Sequence, residues 1–147
     1  MRVLLLFLLA ALGSCSSTSP EQQAADQRKQ EILKEEADFE KEWAAAKKVE
    51  ALDWTSPSQT SPMGFEVSVP QMRSLANDLY DRGAARVWCT GMEDFEGREI
   101  CAEMVAELPS EEGKREKLFS YYNKLHGNEG ESAEPDVGQK FLVFMLD

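Results

Sequence analysis

The sequence predicts an α+β chain, in which a long N-terminal helix precedes a small domain whose elements run β-α-β-β-α-β. Three observations carry that prediction. Residues 20 to about 52 are mostly Ala, Glu, Lys and Gln, with no Gly or Pro after Pro20, which is a run of helix formers. A Ser/Thr/Pro-rich stretch from Thr55 to Pro62 then interrupts any helix and marks a boundary. Beyond it, residues 63–147 alternate between apolar spacings of two, typical of strands, and of three to four, typical of helices.

Taken in order, the chain opens with a positive Met1-Arg2, an apolar run from Val3 to Leu12, and the small residues Gly13-Ser14 before Cys15. This is the layout of an export signal. The run is shorter than the roughly 20 residues a helix needs to cross a bilayer. Leu12-Gly13-Ser14-Cys15 resembles the lipobox of bacterial lipoproteins. That resemblance implies cleavage after residue 14, a diacylglyceryl group on the Cys15 sulfur, and attachment to the cell envelope. Ser16 stands where an Asp would favour inner-membrane retention, so the resemblance implies the outer membrane, on its periplasmic side. An ordinary signal peptide with an incidental Cys15 is the competing reading. Residues 15–19 form the expected tether.

The N-terminal helix is expected over residues 20–54, with Ser19 as N-cap, Pro20 at the first helical position and Gln22 in capping-box spacing. Ala25, Ile32, Phe39 and Ala46 recur every seven residues, and Trp43 and Val49 join in the second half, so only the later turns carry a face worth burying. Two readings fit: a coiled coil or spacer that holds the domain off the membrane, or a helix docked on the domain through Phe39 and Trp43. Residues 55–62 form the linker.

In the domain, Phe65, Val67 and Val69 alternate with polar residues as a strand that Pro70 ends. Met72, Leu75, Ala76, Leu79 and Tyr80 line one face of a helix that Gly83 terminates. Residues 85–92 hold the β-formers Val87, Trp88, Cys89 and Thr90, and Asp94-Phe95-Glu96-Gly97 offers a turn. Residues 99–108 satisfy both periodicities. The preceding turn and the following Pro109-Ser110 favour a strand. Ser110 then caps a helix with Leu118, Phe119, Tyr122 and Leu125 inward, Gly127 ends it, an acidic loop follows, and Phe141 to Leu146 form a final strand.

The βαββαβ order resembles the ferredoxin-like arrangement, an antiparallel sheet with two helices on one face. In the last strand Leu142, Phe144 and Leu146 face opposite to Phe141, Val143 and Met145, and both sets are apolar. A second layer should therefore cover the sheet. Candidates are the helix bearing Phe39 and Trp43, with Trp54 alongside, or a second subunit; Phe39, Trp43, Leu142, Phe144 and Leu146 are the candidate interface residues.

The 147 residues carry 16 Lys+Arg against 27 Asp+Glu, a net charge of −11. That balance excludes the phosphate-neutralising surface of a nucleic-acid binder. The single histidine, His126, excludes multi-histidine metal sites and leaves little for His-based catalysis, and neither a glycine-rich phosphate loop nor a C-x-x-C occurs. At the end of its helix His126 reads as a partner for the helix dipole. Glu129, Glu131, Glu134 and Asp136 crowd one loop without EF-hand spacing. A turn centred on Phe95 would set Cys89 directly opposite Cys101, and an exported setting then suggests a disulfide; two buried free thiols or a reactive thiol are the alternatives. No metal, cofactor or catalytic residue is assigned. The expectation is a lipid-anchored envelope protein without enzymatic activity that works through contact with another protein or a second copy. A small-ligand sensor is the alternative.

Overall fold

The computed structural model describes residues 19–57, 67–127 and 133–146. The expected signal peptide (1–14), Cys15 and most of its tether, linker residues 58–62, Phe65, Glu129 and Glu131 lie outside the described residues.

The chain is α+β. Its described elements are α1 (Pro20–Ala45), β1 (Val49–Glu50), α2 (Ala51–Trp54), α3 (Val69–Asp81), β2 (Arg86–Phe95), β3 (Arg98–Glu107), α4 (Glu112–His126) and β4 (Phe141–Met145). The strands form one antiparallel sheet in the order β1-β2-β3-β4. This departs from the expected ferredoxin-like topology, in which the strand before the first domain helix pairs inside the sheet. Of that expected strand, Val67 is an isolated bridge residue and Val69 already belongs to α3. The local reason is the start of α3: Gln71 Oε1 accepts from the Ser68 N–H at 2.9 Å, and Pro70 sits in the first turn. The first sheet strand is β1, which lies before the Ser/Thr/Pro segment.

The long helix is real but shorter than 20–54. Ser19 Oγ accepts from Gln22 N at 3.2 Å at its start, and at its end the Trp43 carbonyl accepts from Ala46 N at 3.4 Å and Lys48 Nζ at 2.8 Å. The chain then turns so that Val49 pairs with Cys89 and Glu50 with Trp88. Glu50 Oε2 caps α2 through Leu52 N and Asp53 N at 2.9 and 3.2 Å.

Two layers flank the sheet. On one face lies the main core, where Met72, Ala76 and Leu79 of α3 and Leu118 and Phe119 of α4 meet Val87, Met104, Ala106, Leu142, Phe144 and Leu146. Trp54 joins this core through α2 and does not lie alongside Phe39 and Trp43. The α4 helix starts at Glu112 with Glu111 as its cap residue, one later than the expected Ser110. Leu125 points outward, 49% exposed. His126 packs in tilted contacts against Tyr122 and Phe144, with ring centroids at 4.4 and 5.7 Å.

On the opposite face α1 docks by its C-terminal half. Trp43 lies 5.2 Å from Phe141 and 6.4 Å from Trp88, and Phe39 lies 5.3 Å from Phe141. Residues 20–31 are all exposed, and within them Arg28 still reaches Glu134 at 2.9 Å. The docked reading therefore holds for the half of α1 that carries Phe39 and Trp43. Trp43→Ala is expected to cost about 2 kcal/mol, since the half-buried ring loses area and aromatic contacts together. Urea denaturation checks this; an unchanged midpoint would mean that α1 does not hold the sheet.

Candidate functional site

The candidate site forms where α1 leaves the sheet, along the outer side of β4. Two hydrogen bonds set the phase of the β3–β4 ladder: Leu146 N to Ala102 O at 3.2 Å and Leu108 N to Lys140 O at 2.7 Å. Antiparallel pairs alternate, so the main-chain groups of Leu142 and Phe144 point to β3 while those of Phe141 and Val143 point away from it. β4 ends the sheet order on that side.

Beside this edge lies a cleft of about 300 Å³. Its apolar wall comes from Ile32 and Phe39 of α1 with Phe141, Leu142 and Val143, and Tyr122 of α4 closes the other side. The rim is acidic. Glu35, Glu36 and Glu134 line it, with Gln139; no cation is among the described lining residues, although Arg28 pairs with Glu134.

Fixed contacts shape the rim. Glu134 is clamped by Asn123, whose Oδ1 accepts from Glu134 N at 2.7 Å and whose Nδ2 donates to Glu134 O at 3.0 Å. Its carboxylate meets Arg28 at 2.9 Å, and that hydrogen bond raises the Arg28 pKa above its ordinary value. Glu36 accepts from the Lys140 main-chain N–H, and Glu40 pairs with Lys140 Nζ at 2.7 Å. Gln139, 3% exposed, accepts from Val137 N at 2.8 Å and donates to Pro135 O at 3.0 Å. The rim is therefore preorganised, which lowers the ordering cost of binding.

The sequence-predicted residues fall in three places. Phe39 and Trp43 form the roof beside the cleft. Leu142, Phe144 and Leu146 are 3%, 1% and 6% exposed and belong to the main core, Leu142 also lining the cleft. Cys89 and Cys101 are buried free thiols on the core side.

The expected register of the cysteines is corrected. The hairpin turns on Glu96-Gly97, with φ of 52° and 78°, between the paired Phe95 and Arg98. This is the positive-φ two-residue turn that matches strand twist, and Asp94 Oδ1 accepts from Gly97 N at 3.0 Å. Cys89 consequently faces Met104, and Cys101 faces Met92. The two thiols still meet, because alternation breaks at Gly91 (φ 62°) between the Thr90–Glu103 and Met92–Cys101 pairs. Val87 and Cys89 point to the core before this break and Met92 after it; on β3 Ala106 and Met104 are followed by Cys101. A Cβ on Gly91 would stand 3.3 Å from the Ala102 Cβ, so Gly91→Ala is expected to cost about 1–2 kcal/mol by forcing a side chain into left-handed backbone. Thermal unfolding measures it.

Two carbonyl acceptors lie within reach of the single Cys101 S–H, Thr90 O at 3.1 Å and Glu103 O at 3.0 Å. The hydrogen bond between Cys101 and Cys89, reinforced by burial, pushes the Cys89 thiol far above the ordinary range. A nucleophilic thiolate at Cys89 is thereby suppressed. In the reduced, folded chain carrying Cys15→Ser, iodoacetamide is expected to label neither thiol, and in urea both. Rapid native labelling of Cys101 would contradict its burial.

Tyr80 ties three elements together away from the cleft: its hydroxyl donates to Glu50 Oε1 and accepts from Val87 N at 3.0 Å. Burial, with that Glu50 contact, pushes its pKa up to about 12.

Sequence reasoning missed Ile32, Glu35, Glu36, Glu134 and Val143 as neighbours. The two-faced apolar character of residues 141–146 was the available signal. Among the described residues, no helix is long and apolar enough to cross a membrane. Compared with known protein families, characterised proteins and solved structures, the chain shows no significant match.

Proposed function

We propose that the chain is a lipid-anchored protein of the bacterial cell envelope whose α+β body binds another protein and performs no chemistry of its own. The observation that carries this reading is the preorganised cleft beside a sheet edge whose main-chain groups at Phe141 and Val143 have no strand partner among the described residues. Unpaired strand edges invite pairing with another chain. The anchoring part rests on the lipobox-like Leu12-Gly13-Ser14-Cys15.

A photo-crosslinking residue at Met145, 53% exposed at the end of β4, tests the binding reading in the intact lipoprotein in cells. A discrete protein adduct from Met145 and none from the exposed Glu116 of α4 is expected. Equal labelling at both positions, or none at Met145, would overturn it. Intact mass of the membrane-extracted chain tests the anchor: a mass for residues 15–147 plus diacylglyceryl and acyl groups is expected, and an unlipidated mass would remove it.

The cleft volume also favours a second reading, because about 300 Å³ is the lower bound of ordinary small-molecule pockets. Native mass spectrometry separates the two, since a sensor would carry or acquire a small molecule that stabilises the monomer.

A further inference from the structure

We infer that the cleft takes an extended, cationic segment of the partner, which joins the sheet as a fifth strand along β4. This rests on the protein-binding reading and adds the conformation and charge of what is bound.

Conformation follows from the main chain. Phe141 and Val143 each direct an N–H and a C=O outward at two-residue spacing, which is the pattern that an added strand satisfies. A helix uses its own main-chain groups internally and would leave these four unmatched. Alternate side chains of an added strand would meet Ile32 and Phe39 on one side and Tyr122 on the other. The segment should therefore alternate apolar residues at the positions that enter the cleft.

Charge follows from the rim. Glu35, Glu36 and Glu134 surround the opening, with no cation among the described lining residues. Glu134 is paired with Arg28 and Glu36 is engaged by Lys140 N, whereas Glu35 is within electrostatic reach of Arg28 but makes no hydrogen bond or close ion pair among the described residues. A second copy of this chain would bring the same carboxylates against themselves, at a net charge of −11 per chain. Like charges across an interface are a device against wrong partners. Lys or Arg flanking an extended apolar core is the complementary chemistry.

The test is a random-peptide display selection against the full lipidated chain in detergent, followed by affinity measurement of the enriched peptides. Expected winners carry Lys or Arg beside alternating Val, Ile or Leu, and their binding weakens as salt rises. Val143→Pro removes one outward N–H without touching a ladder bond, a position where proline is tolerated on an edge strand. It is expected to weaken binding about tenfold, the loss of roughly one main-chain hydrogen bond. Should that variant fail to fold, Glu35→Lys on the exposed face of α1 serves alone: it is expected to weaken the same peptides several-fold and flatten their salt dependence. Acidic winners, helical winners, or indifference to Glu35→Lys would overturn the inference, as would a dimer in solution that Val143→Pro dissociates. If no peptide is enriched while Met145 still crosslinks to a protein, strand addition fails and protein binding stands. Loss of both results removes both.

Discussion

Phe144→Ala is expected to lower stability by about 3–5 kcal/mol, as for other buried aromatic truncations. Phe144 is 1% exposed, faces Met104 across the ladder, and meets Tyr122 edge-on at 5.1 Å. It therefore locks β4 to both β3 and α4, and its removal leaves a cavity whose walls belong to two layers. The adjacent Met145 supplies the control. At 53% exposure, Met145→Ala is expected to change stability by less than about 0.5 kcal/mol. Urea titration of both variants reads the comparison, and similar losses at the two positions would reverse the facing of β4.

Arg115→Ala is expected to cost about 3 kcal/mol, with no rescue by Arg115→Lys. Arg115 holds Asp136 with two parallel bonds, Nε to Oδ2 at 2.8 Å and Nη2 to Oδ1 at 2.5 Å, and also donates to Gln139 O at 2.9 Å and Pro109 O at 3.3 Å. Its side chain is 13% exposed. Charge-assisted bonds of this bidentate kind are the strong ones, and a lysine ammonium cannot reproduce the fork. The clip joins α4 to the segment that forms the cleft rim and leads into β4. Its loss should therefore also reduce crosslinking from Met145.

The same clip has a pH signature. The hydrogen bond from Arg115 holds the Asp136 carboxyl below the ordinary carboxylate range, with Gly138 N adding to it. A depressed folded pKa stabilises the fold above the unfolded value, near 3.9, and that contribution disappears as pH falls through the folded value. Asp136 is 35% exposed, so solvent screens part of the effect. Asp136→Asn should be less stable than the parent at pH 7 and converge on it below about pH 4. A gap that persists unchanged in acid would assign the loss to packing.

Much of the architecture is legible in local residues. Ser19-Pro20 starts α1, the Met72, Ala76, Leu79 stripe buries α3, and the apolar run at 141–146 is β4. Gly83, with φ of 99°, ends α3 as its position suggests. The strand at 99–108, where both periodicities fit, is β3 over Arg98–Glu107. Two elements differ from the sequence pattern, one through a partner distant in sequence and one through the local turn. Ala, Lys and Glu at 45–52 are good helix formers, yet the chain leaves the helix there because Val49 gains a place beside Cys89. The turn was centred on Phe95, whereas the Asp94 carboxylate and the positive φ of Glu96 and Gly97 shift it by more than a residue, which changes every cross-strand pair.

The sequence by itself determined the α+β class, the start of α1, the main strands and the acidic charge, because caps, periodicity and composition act over a few residues. Only the tertiary structure decided that β1 opens the sheet, that α1 covers its second face, that Cys89 and Cys101 meet across a break in alternation, and that β4 is an edge beside Ile32, Glu35 and Glu134. Those outcomes depend on which segments become neighbours. An edge strand and a central strand share one local pattern and differ only in whether another part of the chain lies alongside.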